Sequence, residues 1–236
     1  MNAAPRGQDF PSLFPLNVGF AWCDQSEDPG ARLLPEENAL LGLTASAKRR
    51  RDFTLGRCCA RTALARLGHG EPGQAPPPIL RGEGRKPRWP PGIVGAITHT
   101  GGFAAAAVAA DGDYLGIGLD LERLGRRTQR LSRKILRPEE RLELEALPAE
   151  KRDTQATVIF SAKESIYKAL NPATGVYLGF QDARIALSGP PDAAEGALNW
   201  RLCKSCGPAL PAGFTGEGRY ARRGDFVLTA VWVTHP

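Results

Sequence analysis

The stretch Gly116-Ile117-Gly118-Leu119-Asp120-Leu121-Glu122 alternates with a period of two, which predicts an extended strand. Ile117, Leu119 and Leu121 fall on one face, and Gly118, Asp120 and Glu122 on the other, so period two aims both carboxylates the same way. Further along, Ile159, Ala162, Ile166 and Leu170 recur at spacings of three and four and predict a helix. Glu164 and Lys168, four apart, share a different, polar side of it. Other apolar runs predict strands at Val18–Cys23, Ile93–Thr98, Phe103–Ala110, Ala183–Leu187, Leu198–Leu202 and Phe226–Val233. Helical patterns open at Pro35 and cover Ala47–Leu67, Ser132–Leu136 and Pro138–Leu147.

The punctuation between these elements is conventional. Residues 1–17, Asp24–Gly30, Glu71–Pro78, Pro190–Gly196 and Gly207–Gly218 are rich in Pro, Gly or polar residues and read as lead or loops. Asp111-Gly112-Asp113 predicts a tight hairpin turn, and the chain divides there into two halves, 1–112 and 113–236. Asn171-Pro172 and Gly175 predict the end of the late helix. Each half holds strands plus one long helix, an α+β arrangement of small, mainly antiparallel sheets.

Composition narrows the class. A chain of 236 residues with 42% hydrophobic content buries a real core, as one large domain or two small ones. No apolar run resembles a signal peptide or a membrane span, so cytoplasmic residence is the default expectation. Five cysteines, an odd number, argue against a disulfide framework. Cys203-Lys204-Ser205-Cys206 has no second pair to complete a zinc site, and Cys58-Cys59 reads as helix packing. The net charge of +6 favours an acidic partner.

If the late helix lies beside the acidic strand, Asp120, Glu122 and Glu164 converge. Three clustered carboxylates need a cation, and an all-oxygen set suits a hard one such as Mg²⁺. Lys163 and Lys168 nearby would suit phosphate, which outlines a phosphoryl-transfer site. The same spacings also describe a solvated strand edge and an ordinary surface helix. Arg57 and Arg61, one turn apart on the basic helix that begins with Lys48-Arg49-Arg50-Arg51, would lie on one side of it.

The segments Gly116–Glu122 and Phe160-Ser161-Ala162-Lys163-Glu164-Ser165-Ile166-Tyr167-Lys168 together resemble the two-part signature of the 4′-phosphopantetheinyl transferases. Asp120 and Glu164 are separated as that pattern expects, with Phe160 where many members carry Trp. Chain length and Asp120-Leu121-Glu122 resemble the longer, monomeric surfactin-synthetase and enterobactin type, whose fold is a pseudo-twofold pair of α+β subdomains. The resemblance implies transfer of the phosphopantetheine arm of coenzyme A to a serine of an acidic apo acyl or peptidyl carrier protein, with Mg²⁺ and release of 3′,5′-ADP. It implies Asp120, Glu122 and Glu164 as metal ligands, and Glu164 and Lys168 as catalytic groups. Arg49-x-x-x-Phe53 and Gly56-Arg57 resemble the family's N-terminal pattern, which implies coenzyme A phosphate contacts from Arg49 and Arg57. Arg81-Gly82-Glu83-Gly84-Arg85-Lys86-Pro87 resembles its Gly-Lys-Pro loop, with Arg85 where the family often has Gly. That loop implies contacts from Arg81, Arg85, Lys86 and Pro87. Ile97-Thr98-His99-Thr100-Gly101 resembles a third family stretch and adds Thr98 and His99. Asp120, Lys163 and Lys168 complete the implied coenzyme A set.

A second reading treats the basic balance as primary. It makes the chain a non-catalytic binding module for nucleic acid or an acidic protein. No helix-turn-helix, zinc-finger or RNA-recognition signature supports the nucleic-acid form, and this reading leaves the two spaced acidic segments unexplained.

Overall fold

The structure is a computed structural model and describes residues 10–24, 32–69, 76–125 and 133–235. Parts of the expected lead, of the loops after Asp24 and Glu71, and of the stretch from Arg126 to Ser132 lie outside the described residues. In chain order the elements are β1 (Gly19–Asp24), α1 (Pro35–Asn38), α2 (Ala47–Arg66), β2 (Leu80–Arg81), β3 (Pro87–Arg88), β4 (Ile93–Thr100), β5 (Phe103–Ala110) and β6 (Tyr114–Arg123). They continue with α3 (Pro138–Glu145), α4 (Ala149–Thr174), β7 (Ala183–Leu187), β8 (Glu195–Leu202), β9 (Thr215–Arg223) and β10 (Phe226–Thr234). Among the described residues no helix is long and apolar enough to cross a membrane.

The strands form two antiparallel sheets, ordered β1-β5-β4 and β6-β10-β9-β8-β7, with β2 and β3 as a separate ribbon. Both edges of β5 are taken, by β1 and β4, so β6 cannot pair with it. The turn at Asp111–Asp113 therefore leads from one sheet into the other and is not a hairpin, contrary to the sequence reading.

Alternation along the strands builds the layers. Ala104, Ala106 and Val108 of β5 face α2 and its Leu55, Cys59, Ala60, Ala63 and Leu64. Ala105, Ala107 and Ala109 face Ile117, Leu119 and Leu121 of the larger sheet. The far side of that sheet, with Ile185, Leu198, Trp200, Val231 and Val233, meets Ile159, Ala162, Ile166 and Leu170 of α4. Helix, sheet, sheet and helix thus stack in that order. The small side chains of β5 allow apolar layers on both of its sides.

α2 starts where Ser46 Oγ accepts the Arg49 amide at 3.2 Å. α4 runs through Pro172 and ends at Gly175 with φ +69°, within the stop expected at Asn171-Pro172 and Gly175. Pro172 lies in the last turn, where losing one amide donor does not break the helix that precedes it. β9 is an element that the sequence pattern hides, because Gly216 and Gly218 read as loop residues. An added Cβ at Gly216 would stand 2.2 Å from the Trp200 ring, and one at Gly218 would stand 2.5 Å from the Ala230 carbonyl oxygen. These glycines make room for packing inside a sheet.

The tightest junction is between α4 and β6. A Cβ at Gly116 would lie 2.1 Å from the Ala169 carbonyl oxygen, and one at Gly118 would lie 1.9 Å from that of Ser165. Next along the strand, Ser161 Oγ donates to the Asp120 carbonyl oxygen at 3.3 Å. Strand steps of two therefore match helix steps of four in the opposite direction. Two strand residues rise about 6.8 Å and four helical residues about 6 Å, so the match persists over several contacts.

Gly118→Ala has to push α4 away from β6, whereas Gly112 has open space around it. Gly118→Ala is expected to cost about 3 kcal/mol or more, and Gly112→Ala less than about 0.5 kcal/mol. Urea denaturation of the two variants checks this, and equal midpoints would contradict the close approach.

Candidate active site

The close approach of α4 carries the acidic end of β6 to the polar side of the helix. Asp120 is only 4% exposed. Its Oδ1 accepts from Lys168 Nζ at 2.6 Å and from the Thr98 hydroxyl at 3.2 Å. Thr98 Oγ1 in turn accepts the Leu121 amide at 3.1 Å, tying β4 to β6 where the two sheets meet. Asp120 Oδ2 is buried and has no hydrogen-bond partner among the described residues. Beneath it, the Ser161, Ser165 and Thr229 hydroxyls satisfy one another at 2.8 Å. Thr229 sits opposite Asp120 in the β6–β10 register.

Glu122 and Glu164 feel the same surroundings. Burial, and then the charge of Asp120, pushes the Glu122 carboxyl up to about 7, with Glu164 adding to the shift and Lys168 opposing it. Burial and Asp120 likewise raise Glu164, again against Lys168. The three carboxylates thus repel one another, and Lys168 is the cation that offsets them. Among the described residues no three His, Cys, Asp or Glu side chains stand together as a ready-made cation cage. The donor set still fits a hard divalent ion, on two grounds. All its atoms are oxygens, and one of them is buried without a partner.

Beside this cluster lies a cleft of about 420 Å³ between α2, β4 and the Arg81–Pro87 segment. Arg49, Arg57, Arg81, Arg85, Pro87 and His99 all line it, as do Lys48, Asp52 and Phe53. The Arg57 guanidinium lies 4.4 Å from the centre of the Phe53 ring and that of Arg81 5.4 Å from it. Burial pulls Arg57 down to about 10, which leaves it charged at neutral pH. Period two along β4 explains how adjacent residues serve two sites: Thr98 turns to Asp120, and His99 faces the cleft. Because Thr98 and His99 are neighbours in the chain, cleft and carboxylates adjoin.

Arg85 has φ +66°, directly after Gly84 at +62°. It adopts the left-handed backbone that glycine accepts without strain, at a cost of about 1–2 kcal/mol for any other residue. The Gly82 amide bonds to the Lys86 carbonyl at 2.8 Å and closes this loop.

Three basic residues stand elsewhere. Lys163 is 4% exposed, and its three donors go to Glu140 at 2.6 Å and to the Ile135 and Phe180 carbonyls at 2.8 Å each. It secures α4 to α3 and to the chain before β7, which corrects the expectation of a ligand contact. One residue along a helix turns the side chain by about 100°, so Lys163 and Glu164 leave α4 in different directions. Arg61 bonds to buried Glu37 and to the Arg32 carbonyl rather than joining Arg57. Lys86 Nζ reaches the Asn171 carbonyl at 3.3 Å, joining its loop to the end of α4.

Sequence reasoning missed Asp52. It is 4% exposed and lies 2.5 Å from Lys48 and 3.8 Å from His99 Nδ1, an acidic group in a basic wall. The Lys48–Asp52 spacing of four was the available signal. Phe53 entered as an apolar position of the basic helix and as part of a motif, although two arginines rest on its ring.

Two family models match the chain. The 4′-phosphopantetheinyl transferase N-terminal domain matches residues 36–109. The 4′-phosphopantetheinyl transferase superfamily matches residues 116–206. The 4′-phosphopantetheinyl transferase Svp of Streptomyces mobaraensis is 39% identical over 92% of this chain and 85% of its own. The 4′-phosphopantetheinyl transferase PptT of Mycobacterium tuberculosis is 35% identical over 87% of this chain and 88% of its own. Enterobactin synthase component D of Salmonella typhi is 32% identical over 60% of this chain and 56% of its own.

Two of the three lysines of α4, Lys163 and Lys168, should separate by experiment. Lys163→Met leaves the fully buried Glu140 carboxylate without its cation and is expected to cost about 3–5 kcal/mol. Adding Glu140→Leu should recover much of that loss. Lys168→Met also strips a buried carboxylate, Asp120, of its cation, but Lys168 is itself partly exposed, so the cost should be smaller, about 1–3 kcal/mol. Denaturation midpoints of the three variants check the contrast, which fails if Lys163→Met is the milder of the two lysine substitutions.

Proposed function

The chain belongs to the 4′-phosphopantetheinyl transferase superfamily and is a transferase, and we propose that it moves the phosphopantetheine arm of coenzyme A onto a serine of an apo acyl or peptidyl carrier protein. Membership sets aside the reading as a non-catalytic basic module. The observation that carries the proposal is the half-satisfied Asp120 carboxylate, held by Lys168 and Thr98 beside a cleft lined with arginines.

In this reading residues 1–112 supply most of the coenzyme A contacts and residues 113–236 the acidic groups. Arg49, Arg57, Arg81, Arg85 and His99 hold the phosphates, with Pro87 shaping the wall. A cluster of guanidinium groups against one buried carboxylate favours a polyanionic ligand. Asp120, Glu122 and Glu164 would hold Mg²⁺, which when bound offsets negative charge on the pyrophosphate. The carrier serine Oγ attacks the phosphorus that bears the pantetheine arm. The bond from that phosphorus to the bridging oxygen breaks, and 3′,5′-ADP leaves. Glu164, directly or through a bound water, takes the serine proton. Lys168 stands beside the reacting phosphate and steadies its charge in the transition state. A chain of net charge +6 suits an acidic carrier, and we take the enzyme to work as a cytoplasmic monomer.

The test uses purified protein, coenzyme A, Mg²⁺ and an apo carrier, read by intact mass. The carrier should gain one phosphopantetheine arm, and chelation of the metal should stop the gain. Asp120→Ala and Glu164→Gln should each lower kcat/KM by about 10²–10⁴-fold while circular dichroism stays unchanged. Carriers of several types left unmodified, with a known transferase succeeding alongside, would overturn the proposal.

A further inference from the structure

One pair of side chains has no part in the reading above. Cys23 stands near the end of β1, and Cys59 stands on α2, 36 positions later. Their sulfurs are 2.9 Å apart, and both are free thiols. Cys59 is 2% exposed, and its thiol also faces the Ala104 carbonyl at 3.5 Å. Cys23 is half-buried, with the Leu55 carbonyl 3.9 Å from its sulfur. The two thiols therefore meet where α2, β1 and β5 join. The neighbouring Cys58 points another way around the helix, towards Arg61 at 3.4 Å and the Arg32 carbonyl at 3.7 Å. Cys203 and Cys206 belong to the other sheet and its loop.

We propose that Cys23 and Cys59 form a reversible disulfide site, oxidised by hydrogen peroxide and reduced by a dithiol. The sulfurs stand 2.9 Å apart and have to close to about 2.05 Å to bond. The roles of the two sulfurs differ. The contact with Cys23 and burial together hold the Cys59 thiol far above the ordinary thiol range. The proton stays on Cys59, which leaves Cys23, the more accessible sulfur, as the nucleophile.

The Cys23 thiolate attacks one peroxide oxygen. The O–O bond breaks, Cys23 becomes a sulfenic acid, and the other oxygen leaves as water after taking a proton. Cys59 sulfur then attacks Cys23 sulfur. The S–O bond breaks, the S–S bond forms, and the hydroxyl leaves with the Cys59 proton as a second water. In total two thiols and one peroxide give one disulfide and two waters. The bridge would fix α2, which carries Arg49, Phe53 and Arg57 into the basic cleft, to the first strand of its sheet.

The experiment treats the intact protein with hydrogen peroxide, then maps cross-linked peptides by mass spectrometry and records thermal unfolding. The expected product is two hydrogens lighter, joins the peptides holding Cys23 and Cys59, and reverts with dithiothreitol. Its unfolding midpoint should lie roughly 5–10 °C above that of the reduced form. Cys58→Ser should keep the bridge, and Cys23→Ala should lose both bridge and midpoint shift. Sulfinic acid at Cys23 with Cys59 still titratable, or a bridge through Cys58, would overturn the proposal. Because peptide mapping is done on the unaltered chain, the outcome does not depend on whether any variant folds.

Discussion

The approach of α4 to β6 is the contact on which the site depends. Two strand glycines, Gly116 and Gly118, let the helix backbone come so near that no side chain fits between them. The same face of β6 carries Asp120 next in line, so the spacing that brings the backbones together also brings this carboxylate under α4. Lys168 then reaches it from one turn beyond Glu164. A wider gap would leave room for water, and the burial and the Asp120 charge that raise Glu122 and Glu164 would both relax.

Close packing of this kind demands that the polar groups caught inside it find partners. Ser161, Ser165 and Thr229 do so among themselves, which lets three hydroxyls sit in a dry layer between helix and sheet. Thr98 performs the matching task on the other side, accepting from β6 and donating to Asp120. The acidic group is therefore fixed by elements of both sheets. The basic cleft is set by the other half, where α2 and β4 share the smaller sheet and the Arg81–Pro87 loop closes over them. Site geometry rests on how β4 and β6 meet rather than on either half alone.

Much of this was legible in the residues because periodicity carries direction. Period two placed Asp120 and Glu122 together, and a spacing of four placed Glu164 beside Lys168. What escaped depended on contacts distant in sequence. Gly216 and Gly218 looked like a loop because the Trp200 ring that needs their space is encoded on another strand. The turn at Asp111–Asp113 looked like a hairpin because nothing local reveals that β5 is already paired on both sides. Lys163 looked like a phosphate ligand because its neighbour is Glu164. Its real partner, Glu140, becomes visible only when α3 folds onto α4. Arg85 shows the reverse case: read as a departure from the Gly-Lys-Pro loop that its segment resembles, it takes the left-handed backbone that glycine favours.

The central claim is that these carboxylates grip one divalent ion together with coenzyme A. Electron paramagnetic resonance of Mn²⁺, titrated into the protein with and without coenzyme A, tests it most directly. The account predicts one tight Mn²⁺ site in the presence of coenzyme A, weakened at least about tenfold by Asp120→Asn. Equal Mn²⁺ affinity in that variant, or a tight site indifferent to coenzyme A, would contradict it.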